Sequence, residues 1–197
     1  MKKYLITFLF ITYSLACFSQ FSDDFSDGNF INNPTWEGSA NAFEVDAGLK
    51  LHLNDSISNT SYLSTASNAI INGSWEFEIK LDFDPSTSNY AKIYLTSDAQ
   101  DLTANLNGYF VKVGGESGVV DEVALYSQSG VSATKIIDGT NGLAASNPDI
   151  KIKVLRDDLG SWELYVDTSG GYFLEGVGFD NSTSFSKIKG EYDENRW

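Results

Sequence analysis

Residues 74–84 read Ser-Trp-Glu-Phe-Glu-Ile-Lys-Leu-Asp-Phe-Asp. Trp75, Phe77, Ile79, Leu81 and Phe83 share one phase, and Glu76, Glu78, Lys80, Asp82 and Asp84 share the other. An alternation with a period of two predicts a β-strand with one dry and one wet face. A helix would scatter the same apolar residues around its circumference. Such a strand belongs to an antiparallel sheet that packs on a second layer.

Weaker versions of the pattern recur along the chain. A strand is predicted near residues 21–25, followed by turns at Asp27-Gly28 and Asn32-Asn33-Pro34. Phe43 and Val45 alternate, Asp46-Ala47-Gly48 turns, and Leu49, Leu51 and Leu53 alternate in return, which predicts a hairpin. Further strands are expected at residues 61–64, 91–96, 108–113, 122–127, 135–137, 149–155, 162–166 and 172–175. Asp157-Asp158-Leu159-Gly160 reads as a turn between two of them. Residues 98–107 could hold one helical turn at most, and no helical period persists for three turns anywhere. Turn signals about every ten residues predict a two-sheet sandwich rather than a βαβ fold.

Composition fits that class. The 197 residues suit one all-β domain, with 42% hydrophobic and 14% aromatic residues to build a core. The start of the chain reads as a signal peptide over residues 1–19: Lys2 and Lys3, then an apolar run too short to span a bilayer, then small residues. Cleavage is expected between Ser19 and Gln20, with no transmembrane segment left afterwards. Ser14-Leu-Ala-Cys17 loosely resembles a lipobox, but Ser14 stands where an apolar residue is usual. The favoured alternative removes Cys17, the one cysteine, with the signal. The expected location is secreted, periplasmic or at the cell surface.

Charge and histidine content narrow the chemistry. The formal net charge is −14 and no basic patch of any size is visible in the sequence, so nucleic acid is not an expected partner. The one histidine, His52, gives zinc chemistry and histidine-dependent catalysis almost nothing to draw on.

Several stretches taken in order resemble a known family: Asp23-Asp-Phe-Ser-Asp-Gly28, Pro34-Thr-Trp-Glu-Gly38, Trp75-Glu-Phe-Glu-Ile-Lys80, Tyr90-Ala-Lys-Ile-Tyr-Leu95, Gly108-Tyr-Phe-Val-Lys-Val113 and residues 153–167 with Arg156, Gly160 and Trp162. Together they resemble the concanavalin A-like lectin/glucanase (laminin-G-like) jelly roll, in the form of the N-terminal module of large secreted bacterial surface proteins. The resemblance implies an antiparallel jelly-roll sandwich over residues 20–186, and it implies lectin, hydrolase or spacer roles without choosing among them. Residues 187–197 do not look like the family's final strand, so the domain is expected to lack it, leaving an atypical tail and an open sheet edge.

Three candidate sites follow. Sugar-binding modules offer aromatic faces to the apolar face of a pyranose. Trp36, Tyr94, Tyr109 and Tyr165 are the foremost candidates here, with Tyr90 and Tyr126 behind them. Tyr94 and Tyr165 are out of phase with the apolar residues of their strands and are expected to face outward, whereas Trp75 and Trp162 are expected in the core. Trp36 has core packing as its competing role. Asp23, Asp24 and Asp27 form an acidic cluster that could ligate calcium, as jelly rolls of this type often do, or could cap backbone N–H groups in a turn. Glu76 with Glu78, and Asp82 with Asp84, are the available carboxylate pairs, but neither reproduces the glucanase motif, and a solvated strand face is the competing reading. The expected function is a non-catalytic carbohydrate-binding or adhesion module whose partner is a polysaccharide or glycan. A glycoside hydrolase or a ligand-free structural spacer is the alternative.

Overall fold

A computed structural model describes residues 22–67 and 72–182. The expected signal peptide, Cys17 and the expected atypical tail over residues 187–197 lie outside the described residues. Within them the strands are β1 (Glu37–Gly38), β2 (Phe43–Val45), β3 (Leu51–Leu53), β4 (Leu63–Ser64), β5 (Gly73–Lys80), β6 (Ala91–Ser97), β7 (Leu106–Val113), β8 (Val123–Gly130), β9 (Ser132–Ile137), β10 (Asp149–Arg156), β11 (Ser161–Asp167) and β12 (Phe173–Phe179). The one helical element among them is a 3-10 turn at Ala40–Ala42. No helix of the described residues is long and apolar enough to cross a membrane.

Two four-stranded antiparallel sheets form the body. The first has the order β6-β7-β8-β9 and the second β12-β11-β10-β5. The chain is an all-β antiparallel sandwich. The inward phase of β7 and β8 (Tyr109, Val111, Val113, Val123, Leu125) meets the inward phase of β10 and β11 (Ile150, Ile152, Val154, Trp162, Leu164, Val166) in one cluster. All of these side chains are almost fully buried. Each aliphatic one stabilises the fold by about 1.5–3 kcal/mol relative to exposure. Trp162 is the centre: its ring lies 5.9 Å from Trp75 and 4.5 Å from Tyr109, so it touches both sheets. Trp75 and Trp162 thus occupy the core, as their phase predicts.

Strand β5 carries the alternation of residues 74–80, with Trp75, Phe77 and Ile79 packed on the core. It stops sooner than the pattern suggests. After Lys80 the Leu81 N–H donates to the Pro148 carbonyl at 2.9 Å, and the chain turns away while Leu81 stays buried. On the outer face of this sheet Glu76 stands opposite Lys153, Glu78 opposite Lys151, and Lys80 opposite Asp149. The predicted hairpin forms from β2 and β3, with Glu44 opposite the exposed His52.

One expectation fails for a local reason. No strand forms over residues 22–25. The Asp23 carboxylate accepts the Phe25 N–H at 2.9 Å, and Phe25 adopts φ 56, so the side chain takes a donor that a ladder would need. Residues 98–107 form no helical turn between β6 and β7. Asp98 instead closes the connection as a carboxylate cap, accepting the Asn107 N–H at 2.6 Å.

Candidate functional site

The outer face of the first sheet carries an aromatic row. In β7 the phase opposite Tyr109, Val111 and Val113 holds Phe110 and Lys112. Register places Tyr94 of β6, Phe110 of β7, Tyr126 of β8 and Lys135 of β9 side by side across the four strands. The Tyr94 and Phe110 rings are 5.2 Å apart, and Phe110 and Tyr126 stack at 5.1 Å with their planes 3° from parallel. Pairs of this kind contribute about 0.5–1.5 kcal/mol each beyond area burial. Phe110 is only 1% exposed, although it points away from the core. It lies covered between the two half-buried tyrosines.

The register of residues 91–94 with 110–113 is unbroken up to the pair of Tyr94 and Phe110, and a bulge follows it between Tyr94 and Thr96. Leu95 turns inward at 5% exposure, while Tyr94 keeps its place beside Phe110. The kinked strand comes so near Gly108 that a Cβ there would collide with the Thr96 carbonyl.

Polar groups frame the row. The Tyr94 hydroxyl donates to Gln128 Oε1 at 2.6 Å, and Gln128 Nε2 donates to the Gly130 carbonyl at 2.9 Å. Burial pushes the Tyr94 and Tyr126 hydroxyls above the ordinary tyrosine range, so both remain protonated donors at neutral pH. Three ammonium groups lie over rings: Lys92 at 4.7 Å from Phe110, Lys112 at 4.8 Å from Tyr90, and Lys135 at 5.8 Å from Tyr126. Lys135 bonds the buried Glu122 carboxylate and lies 2.6 Å from Asp138. Burial disfavours its charge, but these two carboxylates outweigh burial and hold its pKa above the ordinary lysine range. Lys92 is directly opposite Lys112, and burial followed by that neighbouring charge pulls its pKa below the usual range.

The four foremost aromatic candidates do not gather at one place. Tyr94 faces outward on the first sheet and Tyr165 faces outward on the second, so the sandwich separates them. The Tyr165 hydroxyl donates to Glu163 at 2.5 Å. Tyr109 corrects the expectation outright. It is in phase with Val111 and Val113, 0% exposed, and packed on Trp162, so its ring presents no face to a ligand. Trp36 is half-buried beside Phe25, and its indole N–H donates to Asp23 Oδ2 at 2.8 Å.

The acidic cluster follows its turn reading. Asp23, Asp24 and Asp27 line a shallow cleft of about 250 Å³ together with Ser22, Ser26 and Asn33. Asp23 uses one oxygen for the Phe25 N–H and the other for Trp36. Asp24 accepts the Ser26 N–H at 3.0 Å, and Asp27 accepts the Asn29 N–H at 3.1 Å. No group of three or more carboxylate, histidine or cysteine side chains is arranged for a metal among the described residues. Each of these carboxylates accepts a backbone N–H of its own turn.

The carboxylate pairs lie on the other sheet. Glu76 and Glu78 alternate on its outer face, each opposite a lysine, and Lys50 reaches Glu78 at 3.4 Å. Asp82 pairs with Lys80 at 2.8 Å, and Asp84 accepts the Ser146 hydroxyl at 3.0 Å. These contacts are those of a charge-balanced strand face.

Sequence reasoning missed Phe110 and the lysines around it. The available signal was the phase of residues 108–113, where Phe110 falls with Lys112 rather than with the valines. The absence of a basic patch is true of the chain as a line, but the strand register brings Lys92, Lys112 and Lys135 to one face. Comparison with protein-family models, with curated proteins and with solved structures finds no match to this chain.

Proposed function

We propose that this chain is a secreted, non-catalytic carbohydrate-binding or adhesion module that meets a polysaccharide on the outer face of β6–β9. The observation that carries this reading is the pair of half-buried rings Tyr94 and Tyr126, held on either side of the covered Phe110. A polysaccharide ring has an apolar C–H face bounded by hydroxyls. A row of rings flanked by a tyrosine hydroxyl, an amide and ammonium groups complements both parts. The sandwich architecture and the resemblance to concanavalin A-like jelly rolls support the same class, although a fold alone does not specify a ligand. Export through the N-terminal signal puts the module where extracellular glycans are met.

The test is retention on a panel of immobilised polysaccharides, comparing wild type with Tyr94→Ala, Tyr126→Ala and Tyr165→Ala. Loss of a stacked ring should weaken binding about tenfold in the first two. Tyr165→Ala, on the opposite sheet, should bind like wild type. Retention on no glycan, or equal loss in all three variants, would reject the platform.

A further inference from the structure

The outer faces of both sheets carry three lysines, but on the second sheet Lys80, Lys151 and Lys153 each stand opposite a carboxylate, whereas on the aromatic face Lys92 stands opposite Lys112. The chain has a formal net charge of −14 and only 13 lysines and arginines, yet Lys92, Lys112 and Lys135 share one sheet face. Their counter-ions are unequal. Lys135 has Glu122 and Asp138. Lys112 has the Gly115 carbonyl at 2.9 Å and the half-exposed Glu116 at 3.5 Å. Among the described residues no ion pair joins Lys92 to a carboxylate. It stands instead over the Phe110 ring with another lysine directly across the ladder.

Like charges opposite one another destabilise a sheet pair. The fold holds this repulsion at the border of the aromatic row, where an anion would relieve it. We propose that the platform takes an acidic polysaccharide built of uronic acids, whose rings lie against Tyr94 and Tyr126 and whose carboxylates reach Lys92 and Lys112. This rests on the glycan-binding reading and adds the charge of the ligand to it.

The face also distinguishes between kinds of acidic chain. Glu116, Glu122 and Asp138 equal the three lysines in number, so the face is neutral as a whole and Lys92 is the one of the three with no carboxylate partner among the described residues. The remaining net charge of the protein repels any polyanion. One carboxylate per sugar matches a single lysine of this kind, whereas a densely sulfated chain would bring more negative charge than a neutral face can balance. Ammonium groups are point charges that suit single carboxylates. Binding is therefore short-range, confined to this face by screening over about 8–10 Å at physiological salt.

The experiment is affinity electrophoresis of the exported protein in gels containing polygalacturonate, its methyl-esterified form, a sulfated galactan or a neutral galactan. The esterified polymer keeps the sugar rings and removes the charge. Polygalacturonate should retard wild type about tenfold more strongly than the ester or the neutral galactan, the loss expected for a missing charged hydrogen bond. Lys92→Met should abolish that preference while keeping whatever weak binding the ester shows, and Lys92→Arg should retain it. Equal retardation by polygalacturonate and its ester, with Lys92→Met silent, would overturn the acidic ligand and leave the glycan platform standing. Stronger retardation by the sulfated galactan would overturn the choice of carboxylate. No retardation by any of the polymers would overturn the platform and the acidic ligand together.

Discussion

Tyr109 and Phe110 are adjacent in the chain and lie on opposite sides of one sheet. Tyr109 packs against Trp162 between the layers, and Phe110 lies outside, stacked on Tyr126. One strand thus supplies both the core and the middle of the proposed platform. A change in either ring can be read separately from the other.

Trp162 bridges the layers through Tyr109 and Trp75. Trp162→Ala should destabilise the fold by about 3–5 kcal/mol, the range for large aromatic cavities. Denaturant unfolding followed by circular dichroism will show it. A loss below about 1 kcal/mol would mean that this ring is not the junction of the two sheets.

The Lys92–Lys112 opposition makes a prediction independent of any ligand. Lys92→Met keeps the stem over Phe110 and removes the repulsion, so stability should rise by about 0.2–1 kcal/mol. A thermal melt of the unliganded protein at low salt is the measurement. The gain should shrink as salt is added.

Glu122 and Lys135 give a pH signature. Burial raises the Glu122 pKa above its ordinary value, and the Lys135 contacts pull it back. A carboxyl raised in the folded state gives a cost that is absent below its unfolded pKa and grows as pH rises through the folded value. Lys135→Met removes the opposing contacts and raises Glu122 further. The variant should therefore approach wild-type stability near pH 4 and fall progressively behind it toward pH 7. A deficit that is constant across that interval would show that Glu122 does not depend on Lys135.

Asp23 holds the N-terminal turn through the Phe25 N–H and the Trp36 indole. Asp23→Ala should shift Trp36 fluorescence and lower stability by about 0.5–2 kcal/mol, as for the loss of a capping carboxylate. Calcium or chelator added to the wild type should leave the melting temperature unchanged. A rise with calcium that Asp24→Asn and Asp27→Asn abolish would instead place a cation in the cleft.

The fold was legible wherever one strand alone carried the information. Trp75, Phe77 and Ile79 announce their face by alternation, and the β2–β3 hairpin follows from two leucine-rich runs around a turn. The N-terminal strand failed because Asp23 satisfies the Phe25 N–H locally, a competition that hydrophobic pattern does not register. The site was legible only in part. The phase of Tyr94 was readable within its own strand. The phase of Tyr109 was obscured because two aromatic residues, Tyr109 and Phe110, follow one another. The neighbourhood of Lys92, Lys112 and Lys135 depends on register between strands far apart in sequence, which composition does not encode.

At its edge, β12 brings Gly176 and Gly178 against β9. A Cβ at Gly176 would meet Ile137 Cγ2 at 2.7 Å, and one at Gly178 would meet the Ile136 carbonyl at 2.7 Å. On its other side the same strand leaves Leu174, Val177 and Phe179 in water. Divergent copies of this chain should therefore drift along β12 in a two-beat rhythm, with hydrogen alone admitted at positions 176 and 178 and almost any substituent at 174, 177 and 179.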